Sequence, residues 1–361
     1  MCGERKRQRD SSNTFSIILH KFILLIIKTS CSNLKVTMAE HAYMSEAKQE
    51  WLDFAAKAPP PLEGSLEFLR TSMARTKAAM NEKTPMPRES LKVEDLSVPV
   101  RDGAQIAVRF YKPRGAVGLP VVVIFHGGGF ALGNLDNEEV SSRVIADSCH
   151  AAVFNVDYRL APEHPFPVGL HDSYDVVKWI ATNYESLKIN PKRGFVVGGF
   201  SGGSNFAAVI SQLARDERMD PPITGQLLSC PSVVNRNHVP EEYKDELQSV
   251  EQNANAPVIN IKSLEIFEGH YQVGDWTDPK ASPLLHPNLS GLPKAYFQVT
   301  GLDPLRDEGL LYEKVLRRNS VQTKLDIYPG LPHIFWNFPG LPSSIKWKQD
   351  LTQGVEWLLE A

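Results

Sequence analysis

The stretch "LPVVVIFHGGGF", residues 119–130, constrains the fold more than any other part of the 361-residue chain. Its apolar run is unbroken, whereas a strand with one wet face alternates apolar and polar residues. It therefore reads as a strand buried on both faces of a largely parallel sheet. "AAVFNVDYRL" at 151–160 repeats that character, and a proline-rich loop and a helical stretch, "DSYDVVKWIATNY", follow it. "RGFVVGGFSGGSNFAAVISQLARDE" reads as strand, tight turn and helix. "ITGQLLSCPSV", "LPKAYFQVTG" and "TKLDIYPG" continue the strands, with "DEGLLYEKVLRRN" as the helix between the last two and "KQDLTQGVEWLLEA" as a closing helix. Ahead of these, "KVEDLSVPVRDGAQIAVRFYKP" alternates around Asp102-Gly103 and predicts an antiparallel hairpin. This alternation of strand and helix predicts an α/β fold, a mostly parallel central sheet flanked by helices on both faces.

Two regions of the body stand outside the alternation. Residues 39–93 place apolar residues at three- and four-residue spacing in "SEAKQEWLDFAAKA" and "GSLEFLRTSMARTKAAM", which predicts helices separated by Pro59-Pro60-Pro61. Residues 234–280 are polar with scattered aromatics and lie between two core strands. They read as a lid over the C-terminal edge of the sheet. The expected organisation is an extension over 1–38, N-terminal helices over 39–93 that contribute to a cap, and a catalytic domain over 94–361 carrying the cap insertion at about 234–280.

The first 38 residues hold seven basic residues against Glu4 and Asp10, a net +5 in a chain of net charge −3, so that the remainder carries −8. The basic start followed by "FSIILHKFILLII", residues 15–27, resembles a signal peptide or anchor. His20 and Lys21 interrupt the run, however, and about 20 predominantly apolar residues are needed to span a bilayer. An unstructured extension, a true start at Met38, a secretion signal and an anchor are the alternatives. Membrane association is expected only if residues 15–27 act as an anchor. The charge makes no case for nucleic acid, since the body shows no basic patch interleaved with aromatics. Cysteines at 2, 31, 149 and 230 form no C-x-x-C pair, so neither a disulfide framework nor a zinc site is indicated. Their sparseness fits a reducing, cytoplasmic setting, with secretion or anchoring expected instead if the extension is a targeting segment. The sequon Asn288-Leu289-Ser290 would matter only in a secreted chain. The oligomeric state is open, a homodimer included.

A serine hydroxyl is a poor nucleophile at neutral pH and needs a base, a group orienting that base, and donors for the oxyanion that develops on the substrate. Gly199-Phe200-Ser201-Gly202-Gly203 between a strand and a helix is the setting of a nucleophile elbow, with glycines two before and two after the serine allowing close approach. The alternative is a plain strand–helix turn. His126-Gly127-Gly128-Gly129 ends a buried strand well before that serine, as an oxyanion loop does; Gly128, Gly129 and Gly202 are the candidate donors, and His126 is read as tying the loop down. A phosphate loop would need G-x-G-x-x-G or a Lys-Ser/Thr, and both are missing. Asp303 follows the strand "AYFQVTG" and His333 follows "KLDIYPG", in the order Ser…Asp…His and at strand ends where sites on open sheets gather. The competing readings are a helix cap for Asp303, and Asp307 as the acid.

With these residues in hand, the chain resembles the hormone-sensitive-lipase-like family of α/β hydrolases. "HGGGFALG", "DYRLAPEHPFP", "GFSGGSN", "DPLRDEG" and "PHIF" carry the resemblance over roughly residues 95–360. It implies a serine carboxylesterase acting on a small-molecule ester through an acyl-enzyme, with no cofactor and no metal, and with a helical cap above the site. Ser201, Asp303 and His333 match the family's triad, and the HGGG glycines its oxyanion loop. One departure is the elbow, which commonly reads G-D-S-A-G-G; here Phe200 replaces a carboxylate, with an expected bearing on substrate preference more than on catalysis. Similar sequences include bacterial short-chain esterases, plant carboxylesterases and fungal esterases of secondary metabolism. An amidase or formamidase, an acyltransferase or lyase on the same triad, and a non-catalytic ligand receptor of the same fold are the alternatives, although such receptors typically lose the histidine that His333 supplies.

Overall fold

The computed structural model describes residues 41–57, 64–338 and 340–360, so the expected extension over 1–38 lies outside the described residues. The first α-helices among the described residues are α1 (Gln49–Ala55) and α2 (Leu66–Lys83), the second capped by the Ser65 side chain. Then follow β1 (Leu91–Pro99), β2 (Gln105–Pro113), β3 (Val121–Phe125), α3 (Glu139–Ser148), β4 (Ala152–Asp157) and α4 (Val168–Leu187). The chain continues through β5 (Phe195–Phe200), α5 (Gly202–Asp216), β6 (Gly225–Ser229), α6 (Ser249–Gln252), α7 (Ile261–Tyr271), β7 (Lys294–Leu302), α8 (Arg306–Arg318), β8 (Thr323–Pro332) and α9 (Ser343–Leu359).

The eight strands form one sheet in the order β1-β2-β4-β3-β5-β6-β7-β8. β1 pairs antiparallel with β2 around the Asp102-Gly103 turn, and β2 antiparallel with β4; every pair from β4 to β8 is parallel. The unbroken apolar runs acquire their reason here. Alternate residues of β3 and β5 enter opposite cores: Val121, Val123, Phe125, Phe195 and Val197 join one cluster, and Val122, Ile124, Val196 and Phe200 the other. α4, α5 and α8 supply the first core, with Leu170, Phe206 and Leu311 among its members. α3 and α9 supply the second, with Ile145, Trp347, Leu351 and Val355. α3 is the helix that the sequence reading does not identify, because several of its buried positions, Ser141, Ser142 and Ala146, are small or polar and draw no apolar stripe.

Residues 234–280 leave the sheet as a separate layer built from a 3-10 turn (Glu241–Glu246), α6 and α7, the last capped by a reciprocal Asn260–Ser263 box. None of the described helices is long and apolar enough to cross a membrane.

Candidate active site

Four neighbouring parallel strands deliver the site residues at their C-terminal ends. Ser201 follows β5, Cys230 follows β6, Asp303 follows β7 and His333 follows β8. Ser201 takes φ +54 and ψ −123, a backbone conformation that L-residues avoid. Its N–H donates to Ser229 O at 2.8 Å, and the Ser204 hydroxyl bridges Gly199 O at 2.6 Å and Ser229 O at 2.8 Å, so the strained turn is pinned from both flanks. Directly beyond it starts the 15-residue helix α5, whose N-terminus favours negative charge at Gly202.

The glycines around this turn are fixed by packing. A Cβ on Gly203 would lie 2.1 Å from Phe125 O, and one on Gly199 would lie 2.1 Å from Gly203 backbone atoms. Helix α5, β5 and the end of β3 thus meet with no room for a methyl group. Gly203→Ala is accordingly expected to destabilise the fold by about 3 kcal/mol or more and to cost about 10²-fold in kcat by displacing Ser201. Thermal unfolding together with p-nitrophenyl acetate kinetics checks both, and unchanged values would mean the turn tolerates the shift.

The loop after β3 folds back on this turn. Gly127 abuts it, for a Cβ there would lie 3.0 Å from Phe200 O and 3.4 Å from Ser201 Cβ. Gly128 and Gly129 both have positive φ, +125 and +57, which glycine adopts without strain. His126 is fully buried; its Nδ1 donates to Gly127 O at 2.9 Å, and its ring stacks on Tyr158 at 4.2 Å. Burial holds its pKa down to about 4, against the bond to Gly127. A neutral ring locked in this way shapes the loop and is no base. Arg70 of α2 adds bonds to Ala131 O at 2.8 Å and Ala161 O at 2.6 Å, tying α2 to the segment just after the glycines.

Asp303 and His333 are hydrogen bonded, His333 Nδ1 donating to Asp303 Oδ2 at 2.7 Å, with both side chains buried. Asp303 also accepts from Thr300 Oγ1 at 2.7 Å and Leu305 N at 2.8 Å. Burial alone would raise its pKa, but the His333 charge and these bonds hold it below the ordinary carboxylate value. Burial likewise opposes charge on His333, and the Asp303 carboxylate outweighs it, so the imidazole pKa is raised. Asp307 faces elsewhere: it pairs with Arg306 at 2.8 Å and accepts from Gln248 N and Ser249 N, capping α6. Cys230 and Thr300, which no sequence pattern singles out, complete the surroundings. Cys230 Sγ lies 3.3 Å from Thr300 Oγ1 and within 4.8 Å of the nearest Asp303 and His333 ligand atoms.

Ser201 opens onto a cavity of about 60 Å³. Gly129, Phe130 and Gly202 line it from the sheet side, and Val234, Leu264 and Phe267 from the 234–280 layer, with Asn205, Arg236, Glu268 and Glu308 among its polar walls. Phe267 of α7 sits so close to Gly129 that a Cβ there would lie 2.3 Å from its ring. No described residue of 41–93 lines this cavity. Phe200 turns away from it: strand alternation sends its ring into the core, against Trp336 and Trp347 at 5.9 and 6.4 Å. The expected bearing of Phe200 on substrate preference is therefore corrected, because its side chain faces the packing behind the elbow and has no contact with the cavity.

Comparison with known proteins identifies the fold and the family. The profile of a family described as alpha/beta hydrolase fold matches residues 122–337. The versiconal hemiacetal acetate esterase of Dothistroma septosporum is 35% identical over 316 residues, which cover 86% of this chain and 94% of that protein. Carboxylesterase NlhH of Mycobacterium tuberculosis is 36% identical over 272 residues, covering 74% and 82% respectively. Among solved structures, vibralactone cyclase superposes with a TM-score of 0.83 at 33% identity, covering 88% of this chain and 96% of its own. An esterase of Pyrobaculum calidifontis gives 0.72 at 32% identity, covering 82% and 95%. The chain belongs to the α/β hydrolase fold family, in its hormone-sensitive-lipase-like branch of serine carboxylic ester hydrolases.

Proposed function

We propose that Ser201 is the nucleophile, His333 the general base and Asp303 the group that orients it, and that the enzyme cleaves esters of short acyl groups. The observation that carries the acyl size is the cavity beside Ser201, about 60 Å³ in volume. It is well under the roughly 150 Å³ that admits benzene. An acetyl or propionyl group fills such a space, while a long chain would have to displace Phe267 and Leu264. The versiconal hemiacetal acetate esterase, with an acetate ester in its name, points the same way.

In this reading His333 takes the Ser201 proton as Oγ attacks the ester carbonyl, and Asp303 stabilises the imidazolium. N–H groups of Gly128, Gly129 and Gly202 hold the oxyanion, each contributing about 3 kcal/mol at the transition state. The alcohol leaves with the proton from His333. Water, activated by the same imidazole, then frees the acid. The Ser201 hydroxyl has no hydrogen-bond partner among the described residues; in this reading its bond to His333 forms when substrate arrives, since catalytic hydrogen bonds are often unformed or long in free enzymes.

Kinetics on p-nitrophenyl esters from acetate to palmitate test the substrate size. The expected profile peaks at acetate to butyrate and falls by at least about tenfold by octanoate, since overfilling so small a cavity is unfavourable. A maximum at long chains would overturn the reading. Labelling with a p-nitrophenyl phosphonate is expected to place the adduct on the peptide carrying Ser201.

A further inference from the structure

The cavity beside Ser201 holds more hydrogen-bond acceptors than the protein uses. Asn205, 2% exposed, donates through Nδ2 to Ser232 O at 3.0 Å and to Ala281 O at 2.8 Å. Those bonds fix the orientation of its amide and leave Oδ1 buried without a partner. Glu308 is equally enclosed and engages only Oε2, which accepts from Val233 N at 2.8 Å and Val234 N at 3.1 Å. Its Oε1 accepts no hydrogen bond from a described residue. Both side chains line the cavity and grip the same backbone segment, 232–234. A buried acceptor such as Asn205 Oδ1 is rarely left unmet, because desolvating it without a partner is costly.

We propose that Asn205 and Glu308 select acyl groups bearing a hydroxyl, so that the preferred substrates are esters of short hydroxy acids. The inference rests on the assignment of this cavity as the acyl pocket. A hydroxyl is the group that suits both charge states of Glu308. It donates to the carboxylate, or it donates to Asn205 Oδ1 while accepting from the protonated acid. Both states matter, since burial drives the Glu308 carboxyl up to about 8 against its two backbone bonds. An alkyl group of equal size would bury both acceptors unmet. A carboxylate-bearing acyl group fits no better. Among the described residues the one cation lining the cavity, Arg236, is already paired with Glu268 at 2.7 Å, and Glu308 would oppose a second negative charge.

The test compares isosteric methyl esters, glycolate against propionate and 3-hydroxypropionate against butyrate, by pH-stat titration of the full chain and its Glu308→Gln variant. Each kcat/KM is divided by the hydroxide-catalysed rate constant of the same ester, which removes intrinsic reactivity. The wild type is expected to favour the hydroxy member of a pair by about tenfold or more. In Glu308→Gln the amide oxygen keeps the bonds to Val233 and Val234 while an NH₂ replaces Oε1, so the ratio is expected to fall several-fold. A wild-type ratio within about threefold of unity for both pairs would overturn the inference and mean that solvent serves the two acceptors. That measurement needs no variant, so it stands even if Glu308→Gln fails to fold. Acetate esters run alongside separate the two levels: activity on acetate without hydroxyl preference removes this inference alone, whereas no activity on any of these esters removes the esterase reading and this one with it.

Discussion

Replacing Ser201 by alanine is expected to lower kcat on p-nitrophenyl acetate by roughly 10⁶-fold, the scale of loss when the nucleophile of such a set is removed. The protein should stay folded. Alanine carries the same Cβ as serine, so it meets the same backbone strain at φ +54, and the bonds pinning the turn come from Ser201 N and Ser204 Oγ, which the substitution leaves in place. The thermal midpoint should therefore move by no more than about 2 °C, in line with a loss below 1 kcal/mol. The glycine loop and helix α5 survive as well, so a residual rate above the spontaneous reaction is expected from oxyanion stabilisation alone. Activity within tenfold of the wild type would take the nucleophile away from Ser201. Equal activity loss with a collapsed melting temperature would say only that the fold had failed, so both measurements belong together.

Asp303→Asn is expected to cost roughly 10⁴-fold near neutral pH, the loss seen when the acid of a serine triad becomes its amide. The amide can still accept from Leu305 N, but it stabilises neither the imidazolium nor the tautomer that presents the other ring nitrogen to Ser201. The pH dependence separates these electrostatics from a mere packing defect. His333 must be neutral to take a proton, and its pKa lies above the ordinary 6.5 because Asp303 outweighs burial. Wild-type kcat/KM should thus rise with pH through a midpoint above 6.5. In the variant the carboxylate charge is gone while burial remains, so the midpoint of the surviving activity should fall below 6.5. Profiles from about pH 5 to 9 on both proteins check this. An identical acid limb in the two would show that some other group sets it.

The fold was legible wherever burial is uniform. "PVVVIF" and "GFVVGGF" announce themselves because both faces of β3 and β5 enter cores, and Asp102-Gly103 announces its hairpin through turn chemistry. α3 was not legible, since Ser141 and Ser142 are buried without being apolar. At the site, elbow, glycine loop, acid and histidine follow from local pattern and chain order, and the structure brings Asp303 and His333 into contact. Thr300 and Cys230 belong to a different category, as do Asn205 and Glu308, which lie within "GFSGGSN" and "DPLRDEG" but have no role legible there. Each is an ordinary residue on a strand end or helix whose importance comes from what the fold sets beside it. Phe200 shows the converse, since its sequence position beside the nucleophile says nothing about which side of the sheet its ring occupies.

The indoles of Trp336 and Trp347 stack at 4.7 Å with only 3° between their planes, and Trp336 also touches Phe200 behind the elbow. Two transition dipoles held so close and so nearly parallel couple, and they give the native protein an optical signature of its own. Near-ultraviolet circular dichroism, which disappears once specific packing is lost, should carry a strong contribution from this pair. The chain therefore contains a label-free reporter, three residues beyond His333 and one side chain removed from Ser201, with which the integrity of the Ser201 turn can be followed in solution.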